Sequence, residues 1–288
     1  MSRLEVLKTY KIFIGGKFPR TESGRYYKAL NAKGRPVANI CLSSRKDVRN
    51  AVQIARKAQG PWQERSAFNR GQILYRIAEI LEGRSSQFVE ELMIQDYSKI
   101  NATKEVEDAI DRIVYYAGWC DKFNQVSSSV NPVSSSHFNF STNEPVGLVG
   151  LLLPESSSLL TLVSYLMPII AGGNSCVLIA SERFPLTAIT FAEVLNTSDV
   201  PGGVVNILTG TVDELWSPLS THMDVNALSI DLKSPYLKDI QLAAVENLKR
   251  VMCMHSEDQQ GLVNITDFQE LKTTWHPIEN IGGASNSY

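Results

Sequence analysis

The chain predicts an α/β fold: a doubly wound, five-stranded parallel sheet preceded by helices and carrying a small antiparallel arm. Three observations predict it. Near-continuous apolar runs of strand length fall at Val146–Leu153, Ser175–Ile179, Val204–Leu208, Val225–Ile230 and Arg250–Met254, and only strands covered on both faces lose their polar alternation. Helical stretches separate these runs, at about Leu159–Ala171, Leu186–Leu195, Val212–Leu219 and Tyr236–Glu246, the alternation that builds a parallel sheet. By contrast, Val133–Thr142 is polar with Phe138 and Phe140 alternating, as in an antiparallel strand with one face in water.

Taken in order, Tyr10–Phe18 reads as a strand with a turn at Gly15-Gly16, and Asn31–Leu42 as a loop leading to a second strand. Ser44 with Asp47 forms a capping box, and Val48, Ala51, Val52 and Ala55 share one helical face behind it. Pro61-Trp62 is expected to break that helix. The next, capped near Ser66, puts Ile73, Ile77, Ile80 and Leu81 on a stripe and stops at Gly83. A short helix follows at about Ser86–Gln95. A long one at about Thr103–Phe123 turns Val106, Ile110, Ile113, Val114 and Ala117 inward. These stripes are core.

Composition narrows the function classes. Lys plus Arg (28) nearly balance Asp plus Glu (30), and the net charge of −2 leaves no electrostatic footprint for nucleic acid or an anionic membrane. The longest apolar run, Val146–Leu153, is far shorter than the roughly 20 residues that span a bilayer, and Met1–Lys11 is too polar for a secretory signal. A cytoplasmic location is expected. Cys41, Cys120, Cys176 and Cys253 are far apart and form no CxxC, so they read as reduced, buried thiols. His137, His222, His255 and His276 are scattered without metal-ligand spacing.

Ile12-Phe13-Ile14-Gly15-Gly16-Lys17-Phe18, Glu107-Asp108-Ala109-Ile110 through Trp119, Glu144-Pro145-Val146-Gly147, Ala171-Gly172-Gly173-Asn174, Pro201-Gly202-Gly203-Val204-Val205-Asn206 and Thr209-Gly210 stand in order along the chain. Together they resemble the aldehyde dehydrogenase superfamily, over about 10–255. Phe268–Trp275 is similar to the family's C-terminal strand, which in relatives joins the mid-chain hairpin as an oligomerisation arm. The resemblance implies a Rossmann-like NAD-binding domain at 1–130 and 143–258, an oligomerisation arm at 131–142 and 262–278, and a flexible tail at 279–288. The catalytic domain that relatives place before the last strand is missing. Such a shortened unit most resembles the degenerate C-terminal module of aldehyde dehydrogenase family 16.

Carried over residue by residue, the resemblance implies no catalytic residue. The oxyanion Asn of the family falls at Ser156, beside a charged Glu155; the carboxylate base that follows a Lys-Arg-Val such as Lys249-Arg250-Val251 falls at Met254; and no Cys follows Cys253 to act as nucleophile. Cys253, inside a buried strand, and the neighbouring His255 read as structural. The family's ribose-binding Lys and Glu fall at Ile179 and Glu182, so Glu182 is the one candidate cofactor-binding residue. Its glycine turn for the pyrophosphate reads Ile230-Asp231-Leu232-Lys233, whose side chains crowd the anion and whose Asp231 opposes it. No cofactor is expected; NAD is the one the fold would take. Three functions follow: a non-catalytic module that associates with an aldehyde dehydrogenase chain or with itself; a component of an NAD-dependent aldehyde dehydrogenase whose partner supplies the catalytic domain; or a nucleotide-sensing domain. Ser156 and Met254 count against the second, and Ile179 with Asp231 against the third.

Overall fold

A computed structural model describes residues 6–254 and 260–278; the expectations for His255 and for the tail at 279–288 lie outside the described residues. Strands β1 (Thr9–Tyr10), β2 (Tyr26–Leu30) and β3 (Pro36–Cys41) form a small sheet in the order β1-β3-β2. The strand expected over Tyr10–Phe18 shrinks to β1 and isolated bridges, because Phe13 leaves that sheet to exchange backbone bonds with Ile207 at 2.9 and 2.8 Å. Strand β2 was not foreseen: only Ala29 in it is buried, and the exposed Tyr26 and Leu30 break the apolar-in, polar-out alternation that marks a strand.

Helix α1 (Arg45–Gln63) starts where the capping residues place it, with the Asp47 carboxylate accepting the Ser44 N–H at 2.8 Å. Pro61 does not break it. The proline lies in the last turn, where its ring removes a single ladder donor, and the fully buried Trp62 fixes that turn by donating Nε1–H to the Ile170 carbonyl at 3.1 Å. Helix α2 (Ala67–Gly83) is capped by Ser66, whose hydroxyl accepts the Asn69 N–H at 3.2 Å, and stops at Gly83 as expected. After α3 (Ser85–Ile94), α4 (Lys99–Trp119) begins ahead of the expected Thr103 because the Ser98 hydroxyl accepts the Asn101 N–H at 3.2 Å. Val106, Ile113 and Ala117 are buried, whereas Val114 is 41% exposed. Phe123 belongs to a separate short helix, α5 (Phe123–Ser127).

Beyond β4 (Ser129–Asn131) and β5 (His137–Pro145), the predicted alternation appears: β6 (Leu148–Leu152), α6 (Leu159–Ala171), β7 (Ser175–Ile179), α7 (Pro185–Thr197), β8 (Val205–Leu208), α8 (Val212–Ser220), β9 (Ala227–Asp231), α9 (Leu237–Val245) and β10 (Arg250–Met254). The five strands pair in parallel in the order β10-β9-β6-β7-β8. Helices α6 and α7 cover one face, backed by α2, α3 and α4, while α1, α8 and α9 cover the other. Residues in β6, β7 and β8 are buried throughout, as strands between two helical layers must be.

After α10 (Val263–Thr266), β11 (Gln269–Pro277) pairs antiparallel with β5, from Gln269↔Pro145 to Pro277↔His137, giving a second small sheet in the order β11-β5-β4. Its root is fastened to the core. Asn174 donates to the Phe268 carbonyl at 3.1 Å, Gln269 to that of Gly172 at 3.1 Å, and Arg250 to those of Asp267 and Gln269 at 2.9 and 2.7 Å. Beyond Gln269 every residue of β11 is exposed. Among the described residues no helix is long and apolar enough to cross a membrane.

Candidate functional site

In an open parallel sheet, ligands sit outside the carboxyl ends of the strands where the strand order reverses. Here the chain runs outward from β6 to β7 and β8, then returns to place β9 on the other side of β6. A cleft of about 570 Å³ opens at that point. Leu152, Leu153 and Pro154 at the end of β6 form its floor with Ile230 and Asp231 of β9; Glu155, Ser156, Glu182 and Arg183 come from the loops after β6 and β7, and Val212 and Tyr236 from the helices beyond.

The cleft gathers six of the residues singled out from sequence: Glu155, Ser156, Glu182, Ile230, Asp231 and Lys233. Ser156 and Glu155 are exposed at its rim. The Ser156 loop is held from beneath, where the Ser181 hydroxyl donates to the Glu155 carbonyl at 2.6 Å. Glu182 is half-buried, and its Oε1 accepts the backbone N–H of Val212 at 2.5 Å. That amide is one of the unpaired donors at the start of α8, so the carboxylate works as a helix cap. This role is invisible to sequence spacing.

The turn after β9 is equally occupied with itself. Asp231 Oδ1 accepts the Lys233 N–H at 2.6 Å, and the Asp231 carbonyl accepts the Ser234 N–H at 3.0 Å. The Lys233 amide therefore points at a carboxylate of its own turn, as aspartate side chains do in such turns. Met254 closes β10, pairs in register with Asp231, and has its sulfur 2.9 Å from the Ser229 hydroxyl; a thioether moves no proton. Ile179 is fully buried among the apolar residues of β7. Cys253 is half-buried in β10, opposite Ile230. The thiols of Cys41, Cys120 and Cys176 are buried and unpaired, and burial pushes that of Cys120 up to about 12, far from nucleophilic.

Sequence reading missed the aromatic pair beside the cleft, of which Tyr236 lines it. Trp216 of α8 and Tyr236 at the start of α9 stack with centroids 6.0 Å apart and planes at 28°. Burial, with the nearby carboxylates of Asp213 and Glu182, raises the Tyr236 hydroxyl above its ordinary range, so it is a neutral donor. The only available signal was one aromatic near each of two consecutive helices. Electrostatically the lining sets Glu155, Glu182 and Asp231 against Arg183 and Lys233. Among the described residues neither His nor Cys lines the cleft, and no group of His, Cys, Asp and Glu is arranged to hold a metal ion.

Glu182 Oε1 is thus engaged by the first turn of α8, and the same cleft faces the Asp231 carboxylate and a Lys233 amide already bonded within its own turn, where an anion would meet a like charge and a donor in use.

The sequence profile of the aldehyde dehydrogenase family matches residues 19–257. DhaS of Bacillus subtilis (strain 168) is 32% identical over 248 residues, covering 84% of this chain and 50% of that protein. Omega-crystallin of Enteroctopus dofleini is 31% identical over 251 residues, covering 85% and 50%. Among solved structures, the NAD+ complex of aldehyde dehydrogenase from Bacillus cereus superposes with a TM-score of 0.80 at 25% identity, over 85% of this chain and 50% of that one. The chain thus spans about half the length of these relatives. With the motifs, the switch-point cleft and the strand order all in place, the chain belongs to the aldehyde dehydrogenase family.

Proposed function

We propose that this protein is a non-catalytic aldehyde dehydrogenase module that acts by association, through the sheet β11-β5-β4, with an aldehyde dehydrogenase subunit or with a second copy of itself. The observation that carries this reading is β11: a nine-residue edge strand, exposed beyond its first residue, with Leu271 61% and Trp275 57% exposed. An unpaired strand edge of this length is a template for another chain, and β-augmentation is the mode it fits. The division into an NAD-binding-type domain at 1–130 and 143–258 and an oligomerisation arm at 131–142 and 262–278 goes with this reading. So does likeness to the degenerate module of family 16, because residues 255–268 leave no room for a catalytic domain between β10 and β11. Unpaired thiols suit a reducing compartment, in keeping with a cytoplasmic location.

Light scattering, with co-purification against a full-length aldehyde dehydrogenase, tests the proposal. The protein is expected to form a dimer or a mixed complex, and Leu271→Pro to lose it, because proline removes a ladder donor mid-strand. A strict monomer at high concentration that ignores the relative and is unaffected by the proline would refute it.

Ser156, Met254 and the occupied turn at 231–234 support the absence of turnover and of useful cofactor binding. Calorimetry is expected to find NAD binding weaker than about 100 μM, with no aldehyde oxidation above a buffer control. A low-micromolar dissociation constant, about −8 kcal/mol, would instead favour the second reading: a component of an NAD-dependent enzyme whose partner supplies the catalytic domain. The one feature on that side is Glu182, which reaches the cleft with an oxygen to spare.

A further inference from the structure

Helix α8 has the cleft at its first residue and a different cavity at its last turn. This second cavity, about 400 Å³, lies between the start of α1 and the segment that follows α8. Arg45, Lys46 and Arg49 form one wall and His222 stands on the other; among the described residues no carboxylate lines it. Lys46 is neutralised by Glu22, at 2.6 Å. Arg45 and Arg49, one helical turn apart and both exposed, pair with no carboxylate among the described residues.

Charges of both signs surround His222. Burial holds the imidazole below its ordinary value; the Asp224 carboxylate, whose Oδ2 is 4.0 Å from Nδ1, opposes that shift, and Lys249 and Arg56 add to it. Lys249 is itself buried, and among the described residues its Nζ has no hydrogen-bond partner. Pro218 and Met223 complete the lining with apolar surface. Two guanidinium groups from successive turns of one helix, both lining the cavity, supply the donors that phosphoryl oxygens accept, and the volume is that of a small-molecule site.

From this arrangement we propose that the cavity binds a soluble phosphate monoester: the phosphoryl group between Arg45 and Arg49, a short apolar body against Pro218 and Met223, and His222 facing the anion. The site is separate from the switch-point cleft and stands whether or not the module associates with a partner.

The test uses the full chain with phenyl phosphate, inorganic phosphate and sulfate as probes, in calorimetry and in NMR titration of the His222 ring. Phenyl phosphate is expected to bind more tightly than inorganic phosphate, at about 1 mM or better, and to raise the His222 titration midpoint, since a bound anion favours the imidazolium. Arg45→Gln and Arg49→Gln should each weaken binding roughly tenfold with unchanged circular dichroism, because both side chains are in water. Glu155→Gln, exposed at the rim of the other cleft, should leave binding intact. Equal, weak responses to all three anions, or a His222 midpoint that phenyl phosphate does not move, would overturn the site. Binding to phosphatidic acid vesicles with no response to phenyl phosphate would assign the anion to a lipid headgroup and overturn a soluble ligand.

Discussion

Replacing Trp62 with alanine is expected to cost about 3–5 kcal/mol of folding free energy, the range for emptying a large aromatic site in a close-packed core. Trp62 is fully buried, at the point where the last turn of α1 meets the end of α6. Two losses combine there: the ring volume, which rigid backbone on both sides cannot collapse to fill, and the bond from Nε1 to the Ile170 carbonyl. The adjacent Gln59 bonds, to the Gly173 carbonyl at 3.1 Å and from the Ser175 N–H at 2.6 Å, depend on the same docking. Urea denaturation would read the change, with Trp62→Phe as the comparison that keeps most of the volume and loses the bond. If Trp62→Ala and Trp62→Phe cost the same, the packing account of this joint is wrong.

Asn206→Ala is expected to be nearly as severe, at about 3 kcal/mol, through hydrogen bonding and not volume. The side chain is fully buried in β8, accepts the Gly15 N–H at 2.9 Å, and donates to the carbonyls of Gly203 at 2.8 Å and Cys176 at 3.4 Å. Alanine removes all three bonds at a joint where the Asn206 site itself is fully buried. Gly202 makes the same joint intolerant of bulk, since a Cβ there would lie 2.7 Å from the Gly15 carbonyl oxygen. Thermal melts with hydrogen exchange at Gly15 would separate the effects: a destabilised variant whose Gly15 amide stays protected would show that the amide never relied on Asn206.

The parallel sheet was readable because burial on both faces erases polar alternation, and β6, β7 and β8 carry that mark residue by residue. Strand β2 and helix α10 were not, since Tyr26–Leu30 is mostly exposed and Val263–Thr266 is a single turn. Pro61 misled because the cost of proline depends on its position within a helix, and in the last turn it is small. At the site, Ser156, Glu182, Asp231 and Met254 could be found only through likeness to relatives; nothing in their local pattern marks them. That Glu182 caps α8, that Asp231 bonds to its own turn, and that Trp216 meets Tyr236 all depend on which loop tips the sheet brings together. The basic cavity was equally hidden, because Arg49 and His222 are far apart in sequence and meet only when α1 packs beside α8.

The pairing of β11 with β5 has a temporal consequence. Gln269 lies opposite Pro145, so closing this ladder requires the whole parallel sheet between them to have already brought its two ends together; the entropy of closing so long a loop falls before any ladder bond forms. The bonds from Asn174, Arg250 and Gln269 at the root of β11 exist only in a finished sheet. The exposed strand is therefore displayed only by a chain whose parallel sheet is complete; on the association proposed above, a partner would meet β11 only on such chains, and assembly would double as a check on folding.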